Sequence, residues 1–186
     1  MEKRNRLINI ALKEAELNIR IKNPPNSGEE IEKYLSPFRS EFNRMDKTNY
    51  YSDKKIGFAW CAAFVFWCCR QAGFEIPLHP STSKWTMAYV KTWYEFASSL
   101  GLWAEESEKD ILPGDSVVFR KLESESEFCH IGIVKEIFPD RLITVEGNLL
   151  LEKKENFTVK TVGVKERKRN ENIKGFIRLD EKKIGN

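Results

Sequence analysis

Only two histidines occur among the 186 residues, and the four cysteines form no C-x-x-C pair and have no H-x₃₋₅-H partner. That absence removes the usual zinc frameworks, and no cofactor is implied. Cys68 and Cys69 are adjacent and would point about 100° apart on a helix, so they make no disulfide framework; free thiols of a reducing compartment are expected. The longest apolar run, Phe58 to Cys69, is shorter than the roughly 18 residues that a membrane span needs, and at that length it reads as a buried core helix. The start, "MEKRNRLINIALKEAELNIR", lacks a secretory signal: Lys13, Glu14 and Glu16 interrupt its apolar residues and no small-residue cleavage site follows. The chain is therefore expected to be made in the cytoplasm without a signal peptide. Internal repeats and low-complexity segments are also missing, which excludes solenoids and arrays; "KLESESE" (121–127) reads as a short charged hairpin loop.

What is present is ordinary globular composition, 41% hydrophobic and 32% charged, enough for one domain with a full core spanning 1–186. The net charge of +3 is unevenly spread. From Glu152 onward there are eleven Lys or Arg against six Asp or Glu, while the rest of the chain is slightly acidic. A basic end can meet an anionic polymer such as cell wall or nucleic acid, but it also reads as a solvated strand face; no nucleic-acid partner is expected, and the chain reads as a monomer.

The first half has helical spacing. Leu7, Ile8, Ala11, Leu12 and Ala15 lie on one stripe. "KNPPNSG" (22–28) interrupts it, and a short helix through Ile31, Tyr34 and Leu35 follows. "NRMDKTNYYSDKKIG" reads as a loop leading into "GFAWCAAFVFWCCRQAG" (57–73), where Cys61, Phe64, Val65, Cys68 and Ala72 share a face and Gly73 ends the helix. Another helix is expected from Ser81 or Ser83 to Gly101. After "LPGDS" the period changes, and "SVVFR", "FCHIGIVKEIF", "RLITVEGN", "FTVKTVGVKERK" and "KGFIRL" read as strands. Helices first and strands after predict an α+β fold, with N-terminal helices packed on an antiparallel sheet.

Cys61 stands at the leading edge of its helix. A sulfur there meets unpaired N–H groups and the positive end of the dipole, and no Ser, Thr, Asp or Asn precedes it to cap those donors. That suits a thiolate nucleophile; it equally suits the first residue of a core helix, since free cysteine is readily buried. A nucleophile needs a base. His79, between prolines in "PLHPST", reads as a surface residue, whereas His130 lies in "FCHIGIV" on a strand face shared with Gly132 and Val134. Alternation turns Cys129 to the opposite face, and Gly132 leaves open space beside the histidine. Glu146 and Asn148 in "ITVEGN" share one face and can orient the imidazole if that face is His130's. This requires an odd-residue hairpin loop or a bulge. A three-residue loop, 138–140, would set Asn148 opposite His130 and Glu146 opposite Gly132; a two-residue Pro-Asp turn alone would point the acid away. Both orienting positions read as partly solvated. Trp60, beside Cys61, is a candidate wall of a substrate groove. Trp67, Trp93 and Trp103 read as core residues.

The ordered set "AWCAAFVFWCCRQAG", "LPGDSVVF", "HIGIV", "ITVEGN" and "IKGFIRL", with "NPPNSGEEIEKYL" upstream, resembles the CHAP (cysteine, histidine-dependent amidohydrolase/peptidase) family of the NlpC/P60-like, papain-type clan, over roughly residues 5 to 180. The papain signature C-G-[SA]-C-[WY] is absent. The resemblance implies a papain-like, NlpC/P60-like fold and a cysteine amidohydrolase whose catalytic residues fall on Cys61, His130, Glu146 and Asn148. It implies peptidoglycan or muropeptide substrates, cut in the stem peptide, in the cross-bridge or between muramic acid and L-alanine. Action at the wall would then need a non-classical, phage-type or effector-type delivery route. A non-catalytic wall-binding or anionic-partner module, and an acyltransferase using the same thioester, are the alternatives.

Overall fold

Helical periodicity and burial agree along α1 (Glu2–Glu16), which buries Leu7 and Ala11 in the main core. The coordinates are a computed structural model that describes residues 2–107, 110–120, 128–169 and 172–184; the segment 121–127, expected as a charged hairpin loop, lies outside them. Among the described residues are four α-helices and a seven-stranded antiparallel sheet, an α+β domain. The helices are α1, α2 (Glu29–Asp46), α3 (Cys61–Gln71) and α4 (Val90–Ser99). The strands are β1 (Ile21–Asn23), β2 (Trp103–Glu105), β3 (Ser116–Phe119), β4 (His130–Ile137), β5 (Arg141–Lys153), β6 (Thr158–Lys168) and β7 (Ile173–Ile177), in the order β1-β6-β5-β4-β3-β7-β2.

α2 is longer than its sequence suggests: Pro37 falls within its span, and the polar "NRMD" reads as the start of a loop. The helix runs through both and buries Tyr34, Leu35, Phe38 and Phe42. Proline inside a helix costs about 3 kcal/mol, whereas each such buried side chain contributes roughly 1.5–3 kcal/mol, so burial wins. α4 is shorter than expected. Its first turn is at Val90, and residues 81–89 are turns held by contacts such as Met87 N–H to the Leu78 carbonyl at 3.0 Å. The strands β1 and β2 are too short, at three residues each, to leave a period in the sequence.

α3 is the central helix. It packs on β4 and β5 and touches α1 and α2. Gly147 makes this possible: a Cβ there would lie 2.6 Å from Phe64 Cβ. One face of the sheet, through Val118, Ile131, Ile133 and Val145, joins the helices in the main core; Val117, Phe119, Val134, Leu142 and Phe176 form a smaller second core.

The β4–β5 hairpin turns on Pro139 and Asp140 alone, since Ile137 pairs with Leu142 and Phe138 N–H bonds the Arg141 carbonyl at 2.9 Å. The three-residue loop is therefore wrong. The other route to the required parity is the one taken: a bulge between Val134 and Glu136 shifts the register by one, and Ile133 pairs with Val145. Glu146 thereby comes beside Gly132, where a glycine Cβ would meet Glu146 Cγ at 2.7 Å. The space beside the histidine is filled by the Glu146 stem.

Candidate active site

Cys61 is the first residue of α3, and its preceding residue, Trp60, supplies no side-chain cap. The first turn therefore keeps unpaired N–H donors at the thiol. Trp60 fixes the approach to this turn. Its indole N–H donates to Asn26 Oδ1 at 3.1 Å, Asn26 Nδ2 donates to the Phe58 carbonyl at 2.6 Å, and its ring stacks on Tyr34 with centroids 5.8 Å apart. The side chain is 0% exposed, which corrects the expectation that it walls a groove. A buried indole needs an acceptor for its N–H, and the 22–28 loop provides it.

The Cys61 thiol and the His130 imidazole lie close enough for each to favour the charged form of the other. The imidazole Nε2 meets Glu146 Oε2 at 2.8 Å, which leaves Nδ1 for the sulfur. Burial pushes the Cys61 thiol up, but the imidazole and the backbone amides of Ala62 and Ile131 outweigh it and leave the thiol below its ordinary value of 9.0. For His130, burial opposes the charge, while Cys61 and Glu146 favour it and raise the group to about 10. Both shifts run in the direction that a thiolate–imidazolium pair requires.

Glu146 is 0% exposed, not partly solvated as its strand position suggests. Burial alone would raise its carboxyl; instead the Arg167 guanidinium and His130 hold it down at about 2. Arg167 donates from Nε to Oε1 at 2.8 Å and from Nη2 to Oε2 at 2.5 Å, a two-pronged grip. The Thr144 hydroxyl donates to Oε1 at 2.6 Å. Phe119 joins the group from the side, its ring 5.9 Å from the imidazole and 4.9 Å from the guanidinium carbon of Arg167. Arg167 and Thr144 are absent from the sequence expectation. Thr144 carries an alternation signal, two residues before Glu146 on the same face; Arg167 carries none, because its place depends on the β5–β6 register.

Asn148 does not share the seat at His130. It lies in a second bulge, between Glu146 and Leu149, with φ 58°, and its buried Oδ1 has no hydrogen-bond partner. Left-handed backbone is tolerated by asparagine, and the extra residue breaks the alternation that would have paired it with the histidine. Cys129 also departs from expectation. β4 begins at His130, so alternation does not reach Cys129, and both residues line one open groove of about 460 Å³ with Asn148, Arg120 and Lys165. Cys68 and Cys69 are fully buried, and burial raises both thiols. No three His, Cys, Asp or Glu side chains among the described residues converge as a metal site.

These contacts define a class of site: a helix-terminal thiol, an imidazole, and a buried carboxylate behind it. A comparison with protein families matches residues 53–148 to the CHAP domain. This chain belongs to the CHAP family, whose members are usually hydrolases acting on peptidoglycan. The matched span runs from the loop before α3 to Asn148 and contains Cys61, His130 and Glu146. Searches of curated proteins and of solved structures find no match.

Proposed function

We propose that this protein is a cysteine amidohydrolase that cuts an amide bond in the peptide part of peptidoglycan. The observation that carries this reading is a thiol at the uncapped start of α3 beside an imidazole whose Nε2 is held by the buried Glu146 carboxylate at 2.8 Å. The CHAP match supports peptidoglycan as the substrate and the cell wall as the place of action.

The Cys61 thiolate attacks the amide carbonyl carbon, and the carbonyl π electrons move to oxygen. The N–H groups of the first turn of α3 face that oxyanion. As the tetrahedral species collapses, the C–N bond breaks and His130 gives its proton to the departing amine. A thioester remains. Neutral His130 then takes a proton from water, the hydroxide adds to the thioester, and the C–S bond breaks to return the thiolate and release a carboxylic acid, which gives its proton to solvent. Glu146 stays ionised throughout, holding Nε2 so that Nδ1 faces the sulfur.

The test is digestion of purified sacculi by the protein and by its Cys61→Ser variant, with mass analysis of the fragments. The expected result is one class of amide opened with gain of a water, and none opened by the variant. Intact sacculi under both would leave a binding module. Fragments coupled to an added amine instead of water would assign acyl transfer, and cleavage that survives Cys61→Ser would remove the thiol from the reaction.

A further inference from the structure

The groove beside His130 has a chemistry that the Cys61–His130–Glu146 contacts do not use. Two of its residues, Arg120 and Lys165, are exposed cations without an ion pair among the described residues. Lys165 lies on the same face of β6 as Arg167, across from Thr144, and Arg120 directly follows Phe119, the partner of His130. The groove's other lining includes Leu149, Leu150 and Asn148, and no acid among the described residues. Asn148 Oδ1, buried and without a partner, is an acceptor waiting for a donor. Buried polar atoms in native proteins rarely stay unpaired, and where they line a groove a ligand group can satisfy them.

Position fixes which part of a substrate meets these groups. His130 protonates the departing nitrogen, so the fragment carrying that nitrogen runs into the groove that His130 lines. We infer that this groove is a subsite for a leaving amino acid with a free carboxylate: Asn148 Oδ1 accepts an N–H of the substrate, and Lys165 with Arg120 receive the carboxylate. This assignment rests on the hydrolase reading above and specifies its substrate. It separates peptides whose carboxyl beside the cut is free from those in which it is amidated, because an amide brings no charge to the two cations. The apolar Leu149 and Leu150 carry the stem of the same residue.

The carboxylate can sit on the α-carbon of the leaving residue or at the end of its side chain, and four probes distinguish the two. They are N-acetylmuramoyl-L-alanyl-D-glutamate with both carboxyls free, with the α-carboxyl amidated, with the γ-carboxyl amidated, and with both amidated. Binding is measured by calorimetry on the Cys61→Ser protein, so that no turnover is needed. The expected result is a Kd about three- to tenfold lower for the diacid and for one of the two monoamides than for the diamide, the range two exposed charge pairs supply. The gap should close in high salt, as screening of exposed charges requires. Lys165→Glu combined with Arg120→Glu should reverse the order. Asn148→Gly, which keeps the backbone conformation, should weaken all four alike. Equal Kd values for the four probes, no binding at millimolar concentration, or a preference that survives charge reversal would each overturn the subsite. Cleavage by the unmodified protein is read separately. Carboxylate preference without cleavage of any probe or of sacculi keeps the subsite and removes the hydrolase, whereas cleavage with equal Kd values does the reverse.

Discussion

Replacing Glu146 by glutamine keeps the volume and removes the charge. The carboxylate has four polar contacts, two from Arg167 and one each from His130 and Thr144, all between 2.5 and 2.8 Å. A glutamine amide group must turn its NH₂ toward either the Oε1 or the Oε2 seat, and Arg167 donates to both. One donor–donor clash follows in either orientation. The carboxyl is held at about 2 against an ordinary 4.5, a preference for the charged form of roughly 3 kcal/mol. Arg167 is one-quarter exposed and can turn to water, which lowers the loss. The expected destabilisation is about 2–3 kcal/mol, or about 4–12 °C in Tm for a chain of this size. Because the folded carboxyl is depressed, its stabilisation is fully present above the unfolded value and is lost as pH falls through 4.5 toward about 2. The gap in Tm between the protein and Glu146→Gln should therefore be constant near neutrality and shrink in acid. Turnover should fall by about 10²–10⁴, the span between losing general acid–base catalysis and losing the imidazole tautomer. Thermal melts by circular dichroism across pH, with initial rates on sacculi, read both quantities. Glu152→Gln is the control: Glu152 is a distant β5 residue paired with Arg20 and Lys154. A Glu146→Gln protein that melts within a degree of the parent, with a gap independent of pH, would refute the argument; so would equal damage from Glu152→Gln.

Gly132→Ala should reduce turnover more than its one methyl suggests, because the new Cβ meets Glu146 Cγ at 2.7 Å and the carboxylate is pinned at both oxygens. Packing loss of about 1–3 kcal/mol is expected; rates that match the parent in a correctly folded variant would show that Glu146 can move freely. Iodoacetamide should alkylate Cys61 at pH 6, where an ordinary thiol is almost wholly protonated, while Cys68 and Cys69 stay protected until unfolding. Mass mapping of the labelled peptides over a pH series checks this, and His130→Ala should move the acid limb for Cys61 upward. A Cys61 curve that coincides with that of a small free thiol would remove the activated pair.

Much of this arrangement is legible in residue order, and the parts that are not have a common cause. Cys61 shows itself through the edge of an apolar helix without a capping residue, and His130 and Glu146 through strand alternation. The backbone then departs from alternation three times near the site. The bulge at Lys135 brings Glu146 to the His130 face despite the two-residue turn. The bulge after Glu146 takes Asn148 out of the strand alternation, although it still lines the groove beside His130. A third, between Leu150 and Glu152, restores the parity that the second shifts, so Arg167 stays on the Glu146 face. Each bulge inserts one residue, and a single-residue slip flips every side chain beyond it. No local pattern announces such an insertion in these strands. Trp60 failed for another reason: the partner that buries it, Asn26, lies in a loop distant in sequence.

Arg167 completes the electrostatics of the site. In order, the four groups are a guanidinium, a carboxylate, an imidazole and a thiol, each acting on the charge of the next. Consider the row without Arg167. Burial would favour protonated Glu146, and a protonated carboxyl can no longer hold an imidazolium by charge. His130 would then lose its proton, and the thiolate would lose the cation beside it. With Arg167 in place, Glu146 stays ionised far below neutrality and the charges alternate along the row, so each has an opposite neighbour. Phe119, against both the guanidinium and the imidazole, limits how far either can turn away. Arg167 and Cys61 are the two ends of the row, each with one charged neighbour; the guanidinium end is one-quarter exposed, whereas the thiol end is 4% exposed at the uncapped start of α3.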